Sequence, residues 1–251
     1  ANDPIRINAN QLKTKVIGEG ANLGVTQRGR IEAALSGVRL YADSIDNSAG
    51  VDCSDHEVNI KILINQVILK GNLTQKQRNS LLAKMTTEVG QQVLVDNYNQ
   101  TQAINMILYQ GMGIFDNQVR LMRSLEKSGR LNREVEFLPN DETLVDRGAS
   151  RTGLTGPEIA VLMSYAKIWI SEEILESDLP DDISLQDDLI CYFPTLLRKS
   201  YKKEIIKHRL SRQIIATQVT NLIINQAGGN FINDLMEKTG LLASDVVKAY
   251  I

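Results

Sequence analysis

Apolar residues return every three or four positions through most of this chain, and that period belongs to helices. Ile60, Leu63, Ile64, Val67 and Ile68 share one face. After a Gly71-Asn72 stop, a Thr74-to-Gln77 capping box opens a run with Leu82, Met85, Val89 and Val93 aligned. The register fails near Asp96-Asn97-Tyr98-Asn99. From Thr101 a second run aligns Ile104, Leu108, Phe115, Val119 and Met122, and ends at Ser128-Gly129. Residues 130–154 lose the period around Pro139-Asn140-Asp141 and are expected to be irregular. Thr155-Gly156-Pro157-Glu158 is a helix start whose buried stripe, Leu162, Met163, Ala166 and Ile170, reaches about Glu176. A polar linker with Pro180, a short helix and Pro194 follow. The next buried face, Ile214, Ile215, Val219, Leu222 and Ile223, is ended by Gly228-Gly229, and two shorter helical pieces close the chain.

The stretch from Gly18 to Glu57 is different. Lys15-Val16-Ile17 reads as a short buried strand cut off by Gly18 and Gly20. From Thr26, Ile31, Ala34 and Leu35 fall at helical spacing and Ser36-Gly37 stops them. Val38 to Ala42 alternates like a strand, and Asp43 to Gly50 is a polar loop. Strand, helix, strand predicts a right-handed βαβ unit of a parallel sheet, with ligands at the strands' carboxyl ends. Gly18 to Gly24 is one residue too long for the G-x-G-x-x-G fingerprint, so a turn that needs glycine competes with a pyrophosphate loop. Ser54-Asp55-His56-Glu57 has capping-box spacing, which predicts Ser54 as an N-cap. The expected fold is mainly α with a small α/β portion: a partial Rossmann-like βαβ unit in residues 1–72, followed by a helical domain in residues 73–251.

Glu19-Gly20-Ala21-Asn22 and the run from Asp46 to Leu63, DNSAGVDCSDHEVNIKIL, resemble the large-subunit bacterial NAD-dependent glutamate dehydrogenases. Leu154 to Leu162 and Arg212 to Val219 are similar to that family's C-terminal region. The resemblance covers essentially the whole chain. It implies a piece of an enzyme that oxidises L-glutamate to 2-oxoglutarate and ammonia with NAD: the end of the nucleotide-binding domain plus helical scaffold. By the same resemblance Gly20, Ala21 and Asn22 lie near the nicotinamide ribose, and Asn47 near the nicotinamide. Ser54 matches a serine that binds the substrate's side-chain carboxylate in the smaller hexameric enzymes. It could equally be a cap alone, or both. Ser48-Ala49 and Asp55-His56 depart from those enzymes, which carry Ala-Gly and aromatic residues there. The family's catalytic lysine and aspartate and its phosphate loop have no counterpart in these residues, so no catalytic residue is named. With a start at Ala1 rather than Met, the chain reads as an excised fragment, inactive alone, with the rest of its polypeptide as partner and a homo-oligomer expected for the full-length enzyme.

Composition narrows the alternatives. Across 251 residues, 43% hydrophobic and 23% charged is ordinary for a globular protein, and a net charge of −2 gives no footprint for nucleic acid or an anionic membrane. The basic cluster from Arg198 to Arg212 is interleaved with Ile205, Ile206 and Leu210, as on a solvated helix face. Cys53 and Cys191 are far apart with no signal segment before them, pointing to a reducing cytoplasm; Cys53 is expected to be a small core residue. Two histidines, His56 and His208, make no zinc set. The competing function is a non-catalytic helical interaction or assembly module. The two readings differ in whether Asn22, Asn47 and Ser54 converge on one cleft.

Overall fold

The computed structural model describes residues 6–20 and 24–251. Its helices are α1 (Gln27–Leu35), α2 (Asp43–Asp46), α3 (Ser48–Leu69), α4 (Gln75–Gln110), α5 (Phe115–Lys127), α6 (Asp141–Ala149), α7 (Gly156–Glu176), α8 (Gln186–Tyr192), α9 (Thr195–Ile206), α10 (Ser211–Ala227), α11 (Gly229–Thr239) and α12 (Ala243–Tyr250). No helix among the described residues is long and apolar enough to cross a membrane.

The expected Rossmann-like unit is not there. Among the described residues the one β feature is an isolated parallel bridge, Val16 to Arg39, made by Ile17 N–H to Arg39 O and Arg39 N–H to Lys15 O, both 2.9 Å. The helix read between the two strands is there, with Thr26 capping α1 through its hydroxyl, but the two strands are not: in their place are extended pieces that find no third neighbour among the described residues. Two such segments alone are marginal, and Val16 is 64% exposed rather than buried. The fold is all-helical.

Three further boundaries differ from the sequence reading. Residues 130–154, expected to be irregular, hold α6, whose start Asn140 caps by accepting from Thr143 N–H at 2.9 Å. Asp43 to Gly50 is not a loop: its polar residues supply α2 and the first turn of α3, and its one large apolar side chain, Ile45, is buried. Ser54 is therefore no N-cap but an exposed residue within α3, its hydroxyl donating back to Gly50 O at 3.2 Å. The expected break at Asp96 to Asn99 does not occur either, because Asn97 donates to Ile45 O and Ser48 Oγ across the packed helices. α4 runs straight through it for 36 residues, about 54 Å at 1.5 Å per residue. The chain turns instead at Gly111, where φ is +49°. Cys53 is exposed, not core.

α7 is the centre. It buries Ile159, Ala160, Leu162, Met163, Ala166, Trp169, Ile170 and Ile174, more than one face, and α1, α4, α10, α11 and α12 pack around it. Such a helix is stable only when covered on all sides. Each fully buried isoleucine, such as Ile170 or Ile174, contributes about 1.5–3 kcal/mol. Its first turn is closed by Glu158, 1% exposed, whose Oε2 accepts from Thr155 N (2.8 Å), Thr155 Oγ1 (2.7 Å) and Arg147 (2.6 Å). One main core extends from Ala42 to Val247, across residue 72. A small satellite of Ala9, Ala33, Val38 and Leu40 covers the N-terminal segment.

Glycine is required where α11 begins. A Cβ on Gly229 would lie 2.4 Å from Ala166 Cβ on α7. Gly229→Ala should cost about 1–3 kcal/mol in urea unfolding by overpacking, and Ala166→Gly in the same chain should restore part of it. Equal losses with and without the compensating change would refute the close contact.

His208 fixes the α9–α10 turn onto α3. Its Nδ1 accepts from Leu210 N–H (3.2 Å), which leaves Nε2–H to donate to Asn59 O (3.2 Å), the neutral tautomer. Burial lowers its pKa, so on acidification the unfolded chain takes up this proton first. Stability should be full above about pH 6.5 and fall below it toward the folded pKa. His208→Gln should flatten this limb in part, since burial lowers His56 too; an unchanged pH dependence of Tm would contradict the assignment.

Candidate functional site

The glycine loop and the head of α3 are joined by a buried charge cluster. Arg30, on α1, grips Glu19 through Nε (2.9 Å) and a second nitrogen, and also reaches Asp43 at 3.4 Å. Both Arg30 and Glu19 are buried, and the Glu19 hydrogen bond raises the guanidinium pKa. Glu19 N–H in turn donates to Asp46 Oδ2 at 2.9 Å. Burial raises the Asp46 pKa against that bond. Gly20 and Asn47 each directly follow a member of this pair in the sequence. Ala21 and Asn22 lie outside the described residues.

Asn47 lines a cavity of about 360 Å³ between α2, α3, α4, α7 and α10, with Asp52, Asp55, Asp96, Lys167 and Asn221. Burial raises the pKa of both Asp52 and Asp96. Lys167 donates to Gln100 Oε1 at 2.8 Å, and burial lowers its pKa to about 8 against the pull of Asp96. Four aspartates, Asp43, Asp52, Asp55 and Asp96, against one lysine make a cavity suited to a cation or a polar group, and ill suited to a pyrophosphate.

Ser54 does not line this cavity. It lies two turns beyond Asn47 on the same α3 stripe, Asn47, Val51, Ser54 and Val58. Val51 is 65% and Val58 52% exposed, so this stripe faces away from the chain's own core. Gly20 and Asn47 thus each adjoin the Glu19–Asp46 contact, and Ser54 lies exposed further along α3.

Sequence reasoning missed Arg30, Asp52, Asp96 and Lys167. Asp96 lies in the stretch read as a broken register, and its polar neighbours at helical spacing were the one available signal. The cavity depends on five helices meeting, which no local pattern reports. A larger cleft of about 780 Å³ between α1 and α6 is less suited to a ligand. Its Arg133 is committed to Glu126 and Asp141, Arg147 to Glu158, and Arg28 lies over the Phe137 ring.

Comparison with known proteins finds likeness along the whole chain. Residues 1–107 match the family described as bacterial NAD-glutamate dehydrogenase, catalytic domain, and residues 151–251 match glutamate dehydrogenase, C-terminal. NAD-specific glutamate dehydrogenases from Halomonas elongata, Pseudomonas aeruginosa and Mycobacterium tuberculosis are 48%, 47% and 42% identical to it. Each alignment takes in 100% of this chain but 16% of the relative, so the chain spans about a sixth of their length. Two family models along one chain, and identity carried over all of it, place it: the chain belongs to the bacterial NAD-glutamate dehydrogenase family.

Proposed function

We propose that this chain supplies the nicotinamide and substrate edge of an NAD-dependent glutamate dehydrogenase, which converts L-glutamate to 2-oxoglutarate and ammonia, and that it is inactive alone. Gly20, Ala21, Asn22 and Asn47 contact the cofactor, and Ser54 hydrogen-bonds the side-chain carboxylate of glutamate. The observation that supports this reading is the Glu19–Asp46 hydrogen bond, which ties the residue before Gly20 to the residue before Asn47. Exposed Val51 and Val58 suit a face completed by the rest of a longer polypeptide. The chain's part in the chemistry is to orient and desolvate, while the hydride belongs to the cofactor.

A scaffold role accompanies it. Val95, Tyr98, Met106 and Tyr109 form an exposed stripe along α4, a surface fit for packing against the remainder of the enzyme or another subunit.

Steady-state kinetics of the full-length enzyme test the residue roles. Ser54→Ala should raise KM for glutamate about tenfold or more, the worth of a hydrogen bond to a charged group, with a smaller change in kcat. It should also narrow the preference for glutamate over norvaline, which lacks the side-chain carboxylate. An unchanged glutamate-to-norvaline ratio would remove Ser54 from the substrate site.

A further inference from the structure

Asp52 and His56 are one turn apart on α3, and Asp96 faces them from α4. One oxygen of each aspartate and one ring nitrogen of His56 all lie within 4.8 Å of one another. The imidazole is 2% exposed and clamped by stacking on Tyr192, centroids 4.3 Å apart and planes within 10°. Its Nε2 is 3.8 Å from Asp52 Oδ1, beyond hydrogen-bonding distance, and its Nδ1 has no hydrogen-bond partner. Asp52 Oδ2 is buried and accepts nothing.

Buried polar atoms are nearly always satisfied, so an imidazole fixed 3.8 Å from a carboxylate, with one atom of each left unpartnered, calls for a ligand. A proton shared between Asp52 and Asp96 would relieve their repulsion, yet it would leave the histidine unserved. Lys167, the cation nearest Asp96, is committed to Gln100. A cation of higher charge density satisfies all three groups at once.

We propose that Asp52, His56 and Asp96 bind a divalent first-row transition-metal cation of the Mn²⁺ or Zn²⁺ kind. Two carboxylate oxygens and one imidazole nitrogen form a mixed O/N set that suits these ions. The i, i+4 pair on α3 supplies two ligands from one helix face, and Asp96 closes the set from α4. Asp52 and Asp96 also border the cavity that holds Asn47, from which water would fill the remaining coordination positions. The metal would pin α3 to α4 directly behind the open stripe. The inference is independent of what that stripe binds.

The test is titration of the full chain with Mn²⁺ alone, followed by electron paramagnetic resonance and thermal unfolding. One Mn²⁺ per chain is expected, with imidazole-nitrogen modulation of the electron spin echo and a raised Tm. His56→Gln and Asp96→Asn should each weaken binding by about tenfold or more, while Asp55→Asn, on the same cavity wall, should not. No saturable binding of Mn²⁺ or Zn²⁺, or bound Mn²⁺ without nitrogen modulation in the unaltered chain, would overturn the proposal. The spectroscopic outcome holds even where a variant fails to fold.

Discussion

A helix that is apolar on more than one face can exist only if its neighbours cover it, and α7 imposes that demand on the whole chain. α4 and α10 cover much of its length, α1 lies at its start, and α11 approaches closely enough to require glycine against Ala166. Burying α7 also buries its first turn, where free N–H groups and an acidic side chain would be costly without partners. Thr155 and Arg147 meet that cost by enclosing the Glu158 carboxylate. Removing Arg147 alone would leave that carboxylate buried without its cation.

The N-terminal segment takes its position from the same end of α7. A Cβ on Gly156 would lie 2.7 Å from Leu40 O, so the segment after α1 rests directly on the helix start. Gln27, at the head of α1, donates to Pro157 O at 3.4 Å. From there Arg30 holds Glu19, and Glu19 holds Asp46, so the core's geometry passes through four residues to the loop and to Asn47. The acidic cavity on the other side depends on α7 as well, through Lys167. Glu19, Asp46 and the acidic cavity are therefore placed by the packing of helices rather than by a sheet.

Much of this was legible in the sequence because helical spacing survives wherever one face is buried. The limits of α7, the Thr74 cap of α4, the Gly228 end of α10 and the stop of α1 all follow from local rules. The errors share a cause: polar residues look like loop until a partner is known. Asn97 is satisfied by α2 and α3, and Asp43 and Asp46 by the Arg30–Glu19 cluster, so both stretches are helical. Of the strands read at Val16 and at Val38 to Ala42, only the single Val16–Arg39 bridge forms, because a strand needs neighbours the described residues do not provide. Asn47 and Gly20 became visible through family resemblance to their motifs. Asp52, Asp96 and Lys167 come from three helices distant in sequence, and only their packing reveals them as one cavity.

The central claim is that this chain carries one edge of a site completed elsewhere in a longer polypeptide. Calorimetric titration with NAD, run on this chain and on a full-length enzyme that contains it, tests that most directly. The account predicts saturable binding by the full-length enzyme and none by this chain. Tight NAD binding by this chain alone would contradict it, and would return Gly18 to Gly24 to the role of a complete phosphate loop.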